Sequence, residues 1–369
     1  MTRTSVLSST QVFVPFVIAF AFGCSSTPAT PNDSGATTDV TDASVPTDNP
    51  APTDGGAGLR FVTPFNAMMG QLPEGVAFRD GMVYVGFAPT GQILRVDPAT
   101  GMSTMFGQVP IPPSVNPAMP NGYALGLAFD TMGNLYVAAP SFGAAFQAGV
   151  YRIAPAGGTA TRFATDAMMR FPNAIEFDAM GNLYVSDSGT GAIFRISPDG
   201  MTVRPWVTHM LLQGFDRADG SMPPCGPGAG FPIGVNGIVY DRAGMNVYAV
   251  NTDRATVLRI PVMADGSAGT PAVLVAQDCA RLGGADGLTR GPDGALYVAS
   301  NAANSITRLS TDGMNVTALE SGAPLDSPAS LVFGTVGGRS TLFITNAAFT
   351  SASTPGGMPR PGLLARPTP

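Results

Sequence analysis

Glu74, Asn173, Asn236 and Asp286 are the side chains best placed to do chemistry together. Each stands just ahead of an apolar run, in four of six copies of one short pattern. Aligned on that run, the copies put Glu74, Leu125, Asn173, Asn236, Asp286 and Ala329 in a single column. Two carboxylates and two amide carbonyls make an oxygen-only set carrying two negative charges. Such a set suits a hard divalent cation, calcium first and magnesium or manganese next. Glutamate adds specificity, because the chain has only three and one stands in this column. Asn and Asp also precede strands for local turn reasons. Leu125 and Ala329 show that the turn itself does not demand a polar residue, which weighs toward a shared site.

The elements that must position these residues are written in the same repeat. The copies are anchored at Tyr84-Val85, Leu135-Tyr136-Val137, Leu183-Tyr184-Val185, Val247-Tyr248, Leu296-Tyr297-Val298 and Leu342-Phe343-Ile344. Their aromatic members lie 52, 48, 64, 49 and 46 residues apart, a period that suits one four-stranded propeller blade per copy. The spacing therefore predicts an all-β fold, a six-bladed β-propeller over residues 58–369. In each copy the first apolar run is the inner strand, a Gly-Asn or Asp-Gly turn follows, and the Tyr-Val run is the second strand. A third strand carries a recurring arginine, at Arg95, Arg152, Arg195, Arg259 and Arg308, alternating with apolar neighbours as a half-exposed strand requires. The sixth copy runs out after Gly362 to Arg366, so its fourth strand must come from elsewhere. Leu59 to Phe65 is the available segment, and an N-terminal strand there closes the last blade and removes an open edge. Inner strands of a propeller converge on one channel, so the column residues meet at its mouth. Asp187, Asn251, Asn301 and Asn346 end second strands at the same face. They either surround the four as a supporting ring or cap the following turn.

Composition narrows the chemistry further. All nineteen cations are arginine, which excludes Schiff-base lysine catalysis and a phosphate loop ending in lysine. The single histidine, His209, excludes mechanisms that need a histidine pair and a His-rich zinc site; near Trp206 it is expected to pack or face solvent. Charged residues are 12% of the chain and the net charge is −6, so no nucleic-acid partner is expected. Residues 1–24 read as an export signal: Arg3 is followed by a twelve-residue apolar core from Val12 to Gly23, too short to span a bilayer. Ala21-Phe22-Gly23-Cys24 resembles a bacterial lipoprotein cleavage box, with Cys24 as the lipidated residue, although Ala21 and Phe22 depart from the usual pattern. The expected location is the bacterial envelope, on the periplasmic or surface face of the outer membrane, with plain secretion as the alternative. Residues 25–57 hold five aspartates and no cation among Ser, Thr, Pro, Gly and Ala, and read as a disordered linker. In an oxidising compartment Cys225 and Cys279, in loops leading into adjacent repeats, are expected to pair.

Leu72-Pro73-Glu74-Gly75, Pro172-Asn173-Ala174, Val235-Asn236-Gly237-Ile238 and Ala285-Asp286-Gly287-Leu288 resemble the SMP-30/gluconolactonase/regucalcin-like family. Paraoxonase, strictosidine synthase-like and NHL-repeat propellers are related to it. The resemblance covers residues 58–366. It implies Glu74, Asn173, Asn236 and Asp286 as ligands of Ca2+ or another divalent cation (Mg2+, Mn2+ or Zn2+), with Asp286 as general base. It implies hydrolysis of a lactone or related ester as a small-molecule substrate, and a monomer is expected. The alternative is a non-catalytic surface propeller whose ion rigidifies the channel and which binds a ligand or a protein. The histidine pair of the paraoxonases has no counterpart here, and no sugar-gripping arginine can be placed.

Overall fold

The computed structural model describes residues 58–114, 120–226 and 228–368. The expected signal segment with Cys24, and the linker 25–57, lie outside these residues. Among the described residues, twenty-four strands fall into six four-stranded antiparallel blades, with a two-residue strand, Gly158–Thr159, added in parallel to the outer edge of the first. The inner strands are Pro73–Arg79, Leu127–Phe129, Pro172–Phe177, Val235–Asp241, Ala285–Arg290 and Pro328–Val336, and each touches the next around a closed ring. The molecule is a six-bladed β-propeller. Its last blade runs Pro328–Val336, Arg339–Asn346, Gly362–Pro367 and then Arg60–Pro64, the N-terminal strand. Register places Arg60 opposite Ala365 and Pro64 opposite Gly362. The free edge of the last blade is thus paired by the chain's other end.

Local chemistry explains the hairpins. In blade three, Asp178 Oδ1 accepts from the N–H groups of Met180 and Asn182 (2.8 and 2.9 Å), and Asn182 Nδ2 donates to Asp178 Oδ2 at 2.8 Å. Gly181 supplies the left-handed residue at φ +81° that closes the turn. Asp130 and Asn134 build the same turn in blade two.

The repeating tyrosine has a packing cause. Each second-strand ring lies against an aromatic ring of the next inner strand: Tyr84 on Phe129, Tyr136 on Phe177, Tyr184 on Tyr240, and Tyr297 on Phe333, with centroids 4.8 to 5.6 Å apart. Phe343 on Phe78, at 5.8 Å, closes the ring between blades six and one. At the remaining junction Arg290 stands in the aromatic position, bonded to Asp241 of blade four at 2.8 Å. The third-strand arginines pair across the strand with these aromatics, Arg195 opposite Tyr184 and Arg308 opposite Tyr297. Arg308 holds Asp293 at 2.6 Å, so its role is structural. Apolar side chains between blades fill the junctions; around Phe343 they come from both ends of the chain, Val62 and Val76 with Leu363 and Ala365.

Candidate metal centre

Each of the four column residues is the second residue of its inner strand, inside a register shift against the second strand. The residue after it is glycine at three of the four positions, because neighbouring inner strands approach closely there. A Cβ on Gly237 would sit 2.4 Å from Asp286 O, and one on Gly287 would sit 2.5 Å from Ala329 O. Glu74, Asn173, Asn236 and Asp286 are each only 5% exposed. Leu125 and Ala329 complete the column as buried apolar residues.

The two carboxylates come from blades one and five and still feel each other. Burial pushes Glu74 well above the usual carboxylate range, and the nearby Asp286 charge adds to that rise. Burial likewise raises Asp286 to about 7, opposed by hydrogen bonds from Asn301 and Asn236. Asn301 Nδ2 donates to Asp286 Oδ2 at 3.0 Å. Glu74 Oε2 is sealed from solvent with no hydrogen-bond partner. Asn173 Nδ2 donates to Ser188 Oγ at 3.1 Å, and Asn236 Nδ2 to Thr252 Oγ1 at 3.0 Å. Two buried carboxylates beside one another, one with an orphaned oxygen, are costly without a positive charge. Among the described residues no three His, Cys, Asp or Glu side chains converge. A cation here would therefore need the amide oxygens of Asn173 and Asn236 as well, and this donor set fits a hard ion.

The strand-end residues divide. Asn301 touches the site through Asp286. Asp187, Asn251 and Asn346 bond instead to backbone. Asp187 Oδ2 accepts from Arg170 and Phe171 N–H, Asn251 Nδ2 donates to Leu211 and Gln213 carbonyls, and Asn346 Nδ2 to Pro324 and Arg360 carbonyls. The turn-capping alternative describes these three. Register explains the split: Asp187, Asn251, Ser300 and Asn346 face the residue before the column, and Asn301 lies one position further along. A one-residue step in a strand reverses the face presented. The true companions of Asn301 are Ser188 and Thr252. Sequence reading missed both, although the Asp-Ser and Asn-Thr pairs at the ends of second strands carried the signal.

The surrounding loops are tied down. Cys225 and Cys279 are joined, with Cα atoms 5.0 Å apart, linking the loops that enter blades four and five. Asp253, next to Thr252, accepts from Phe215 N, Ile233 N and Arg217 Nη2 at 2.9 to 3.1 Å. His209 caps the short helical turn Met210–Leu212 through Nδ1, 3.2 Å from Leu211 N. Tyr123 and Phe171 each lie two residues before a column residue, and their rings pack with Phe142 and Phe231 at 4.8 to 6.4 Å. The face over blades two to four is therefore aromatic.

Residues 232–348, which hold Asn236, Asp286 and the whole of blade five, match the family model for the SMP-30/Gluconolactonase/LRE-like region. The likeness to that family lies in this stretch, about a third of the chain. No curated protein matches the sequence. Among solved structures, the calcium-binding protein regucalcin from Agrobacterium tumefaciens is 18% identical, covers 80% of this chain and 91% of its own, and superposes with a TM-score of 0.55. A putative gluconolactonase is 15% identical over 84% of this chain and 92% of its own, with a TM-score of 0.57. Virginiamycin B lyase from Staphylococcus aureus is 17% identical over 78% and 82%, with a TM-score of 0.50. At such identities the likeness is one of fold.

Proposed function

We propose that this propeller is a divalent-cation-dependent hydrolase of a lactone or related ester, acting at the channel mouth. The observation that carries the reading is the buried Glu74–Asp286 pair with Glu74 Oε2 unpartnered. Calcium is the first choice of ion. Glu74, Asn173, Asn236 and Asp286 would hold it, and when bound it supplies polarisation of a carbonyl and countercharge for an oxyanion. The chain's own contribution begins with Asp286, whose Oδ2 is fixed by Asn301 and which takes the proton of the attacking water. Closely packed inner strands keep the remaining solvent away from both carboxylates. The aromatic group of Tyr123, Phe142, Phe171 and Phe231 favours a substrate with an apolar substituent beside its reacting carbonyl.

The test is a panel of lactones and aryl esters at neutral pH with calcium, magnesium, manganese or zinc, comparing wild type with Asp286→Asn. That change keeps shape and a carbonyl oxygen but removes the base. Turnover should fall by about 10²- to 10⁴-fold, the usual worth of a positioned general base, with the cation still bound. Cation binding without turnover on any panel member would instead favour the non-catalytic ligand-binding propeller.

A further inference from the structure

Two of the four column residues are amides, and an amide has opposite ends. Presented by its oxygen, Asn173 or Asn236 can hold a cation; presented by its NH2, it repels one. The hydrogen-bond network decides which. Ser188 Oγ donates its only proton to Val235 O at 2.7 Å, and Thr252 Oγ1 donates its only proton to Ala285 O at 2.7 Å. Each hydroxyl oxygen is then left as an acceptor. It can meet only the NH2 end of the neighbouring amide, and it does, from Asn173 at 3.1 Å and Asn236 at 3.0 Å; the Asn236 NH2 also bonds to Asp286, an acceptor that holds it the same way round. The reversed amide would set Oδ1 against an oxygen with no proton to give. Neither Oδ1 is among the sealed, unpartnered atoms.

The same position can be compared around the ring. The position held by Ser188 and Thr252 is marked by a backbone bond to the residue two before the column, as in Ser188 N to Phe171 O and Thr252 N to Gly234 O. By the same bonds Ala88 serves Glu74, Asn301 serves Asp286, and Ala347 serves Ala329. Hydroxyls stand beside both amides and a donor amide beside Asp286, whereas Glu74 has only the Ala88 methyl and keeps an unpartnered oxygen. The carbonyls that take the hydroxyl protons belong to Val235 and Ala285, which directly precede Asn236 and Asp286. Each hydroxyl therefore ties its amide to the backbone carrying the next column residue.

We propose that Ser188 and Thr252 are positioning residues that commit Asn173 and Asn236 to present their oxygens to a cation, linking blades three, four and five in one relay. The cation part rests on the function proposed above. Its test measures calcium affinity by calorimetry on the whole protein stripped of metal. Ser188→Ala and Thr252→Val should each weaken binding by about 10- to 100-fold, the usual effect of losing a group that orients a ligand. Ser188→Thr and Thr252→Ser should restore it. Ser186→Ala is the control: its buried hydroxyl bonds only to the Ala174 backbone, and its loss should leave affinity near wild type. A second readout needs no cation. Side-chain NH2 signals of Asn173 and Asn236, identified by their loss in Asn173→Asp and Asn236→Asp, should be exchange-protected in wild type. Asn173 should lose protection in Ser188→Ala, and Asn236 should lose part of it in Thr252→Val, where Asp286 still accepts from its NH2. Unchanged affinity in both variants, with wild type binding calcium, would overturn the proposal. If wild type binds no divalent cation, the cation reading falls alone, and unaltered NH2 signals in the variants would then sink the orientation as well.

Discussion

At Asp286 two demands oppose each other: a carboxylate is useful to a cation only when ionised, and burial beside Glu74 makes ionisation costly. In the cation-free protein burial holds Asp286 at about 7, well above its unfolded value. The folded state then carries a proton that the unfolded chain has already released, between roughly pH 4 and pH 7. Stability contributed at this site is complete at the acidic end of that window and falls as pH rises, by at most about 1.4 kcal/mol per pH unit for one group. Glu176, raised to about 7 by burial, adds a slope of the same sign. Comparison with Asp286→Asn cancels that contribution. Without cation, Asp286→Asn should be more stable than wild type at pH 8, and the difference should shrink toward zero at pH 5. Urea melts at the two pH values in chelator decide it; a constant difference would mean that Asp286 is not strained by its charge.

At the scale of elements, the strand Arg60–Pro64 carries a load out of proportion to its length. It supplies the outer strand of the last blade, and Val62 packs with Val76, Phe343 and Leu363 across the closing junction. Deleting residues 59–65 should lower the melting temperature of the whole domain in one cooperative transition, whereas deleting 25–57 should leave it unchanged. Scanning calorimetry of the two truncations tests this, and equal melting temperatures would defeat the closure argument. The repeat was legible in the sequence because its tyrosines pack between blades, so their spacing counts blades. The long interval of 64 residues before Tyr248 reflects the loop that carries Phe231 and Cys225. The column of four was legible for a similar reason: each member follows from its distance to an apolar run. The supporting residues were not. Asn301 was placed with Asp187 and Asn251, yet the register shifts at the start of each inner strand make a one-residue slip invisible without coordinates. That slip separates residues that cap loops from Ser188 and Thr252, which touch the site.

At the scale of the molecule, the ring is closed at its rim by the shared last blade, and the four column residues stand at the starts of its inner strands. Glu74 belongs to blade one, Asn173 to blade three, Asn236 to blade four and Asp286 to blade five, so one ion would tie together elements more than two hundred residues apart in sequence. An unfolded chain offers no such arrangement of inner strands. A cation that binds only the folded state stabilises it by mass action, by about 2.7 kcal/mol at a concentration a hundredfold above Kd. Calcium should therefore raise the melting temperature of the metal-free protein at pH 8, and Glu74→Ala or Asp286→Ala should abolish the rise. Arg308→Ala, which breaks a rim ion pair with Asp293, should lower stability slightly and leave the response to calcium intact. The pH dependence has a definite sign. Calcium competes with the protons on Glu74 and Asp286, so its stabilisation should be full at pH 8 and fade as pH falls through the raised range of the pair. This is opposite to the trend of the cation-free protein, and the two stability curves should approach each other toward pH 5. Curves that stay parallel from pH 8 to pH 5 would place any calcium effect away from these carboxylates.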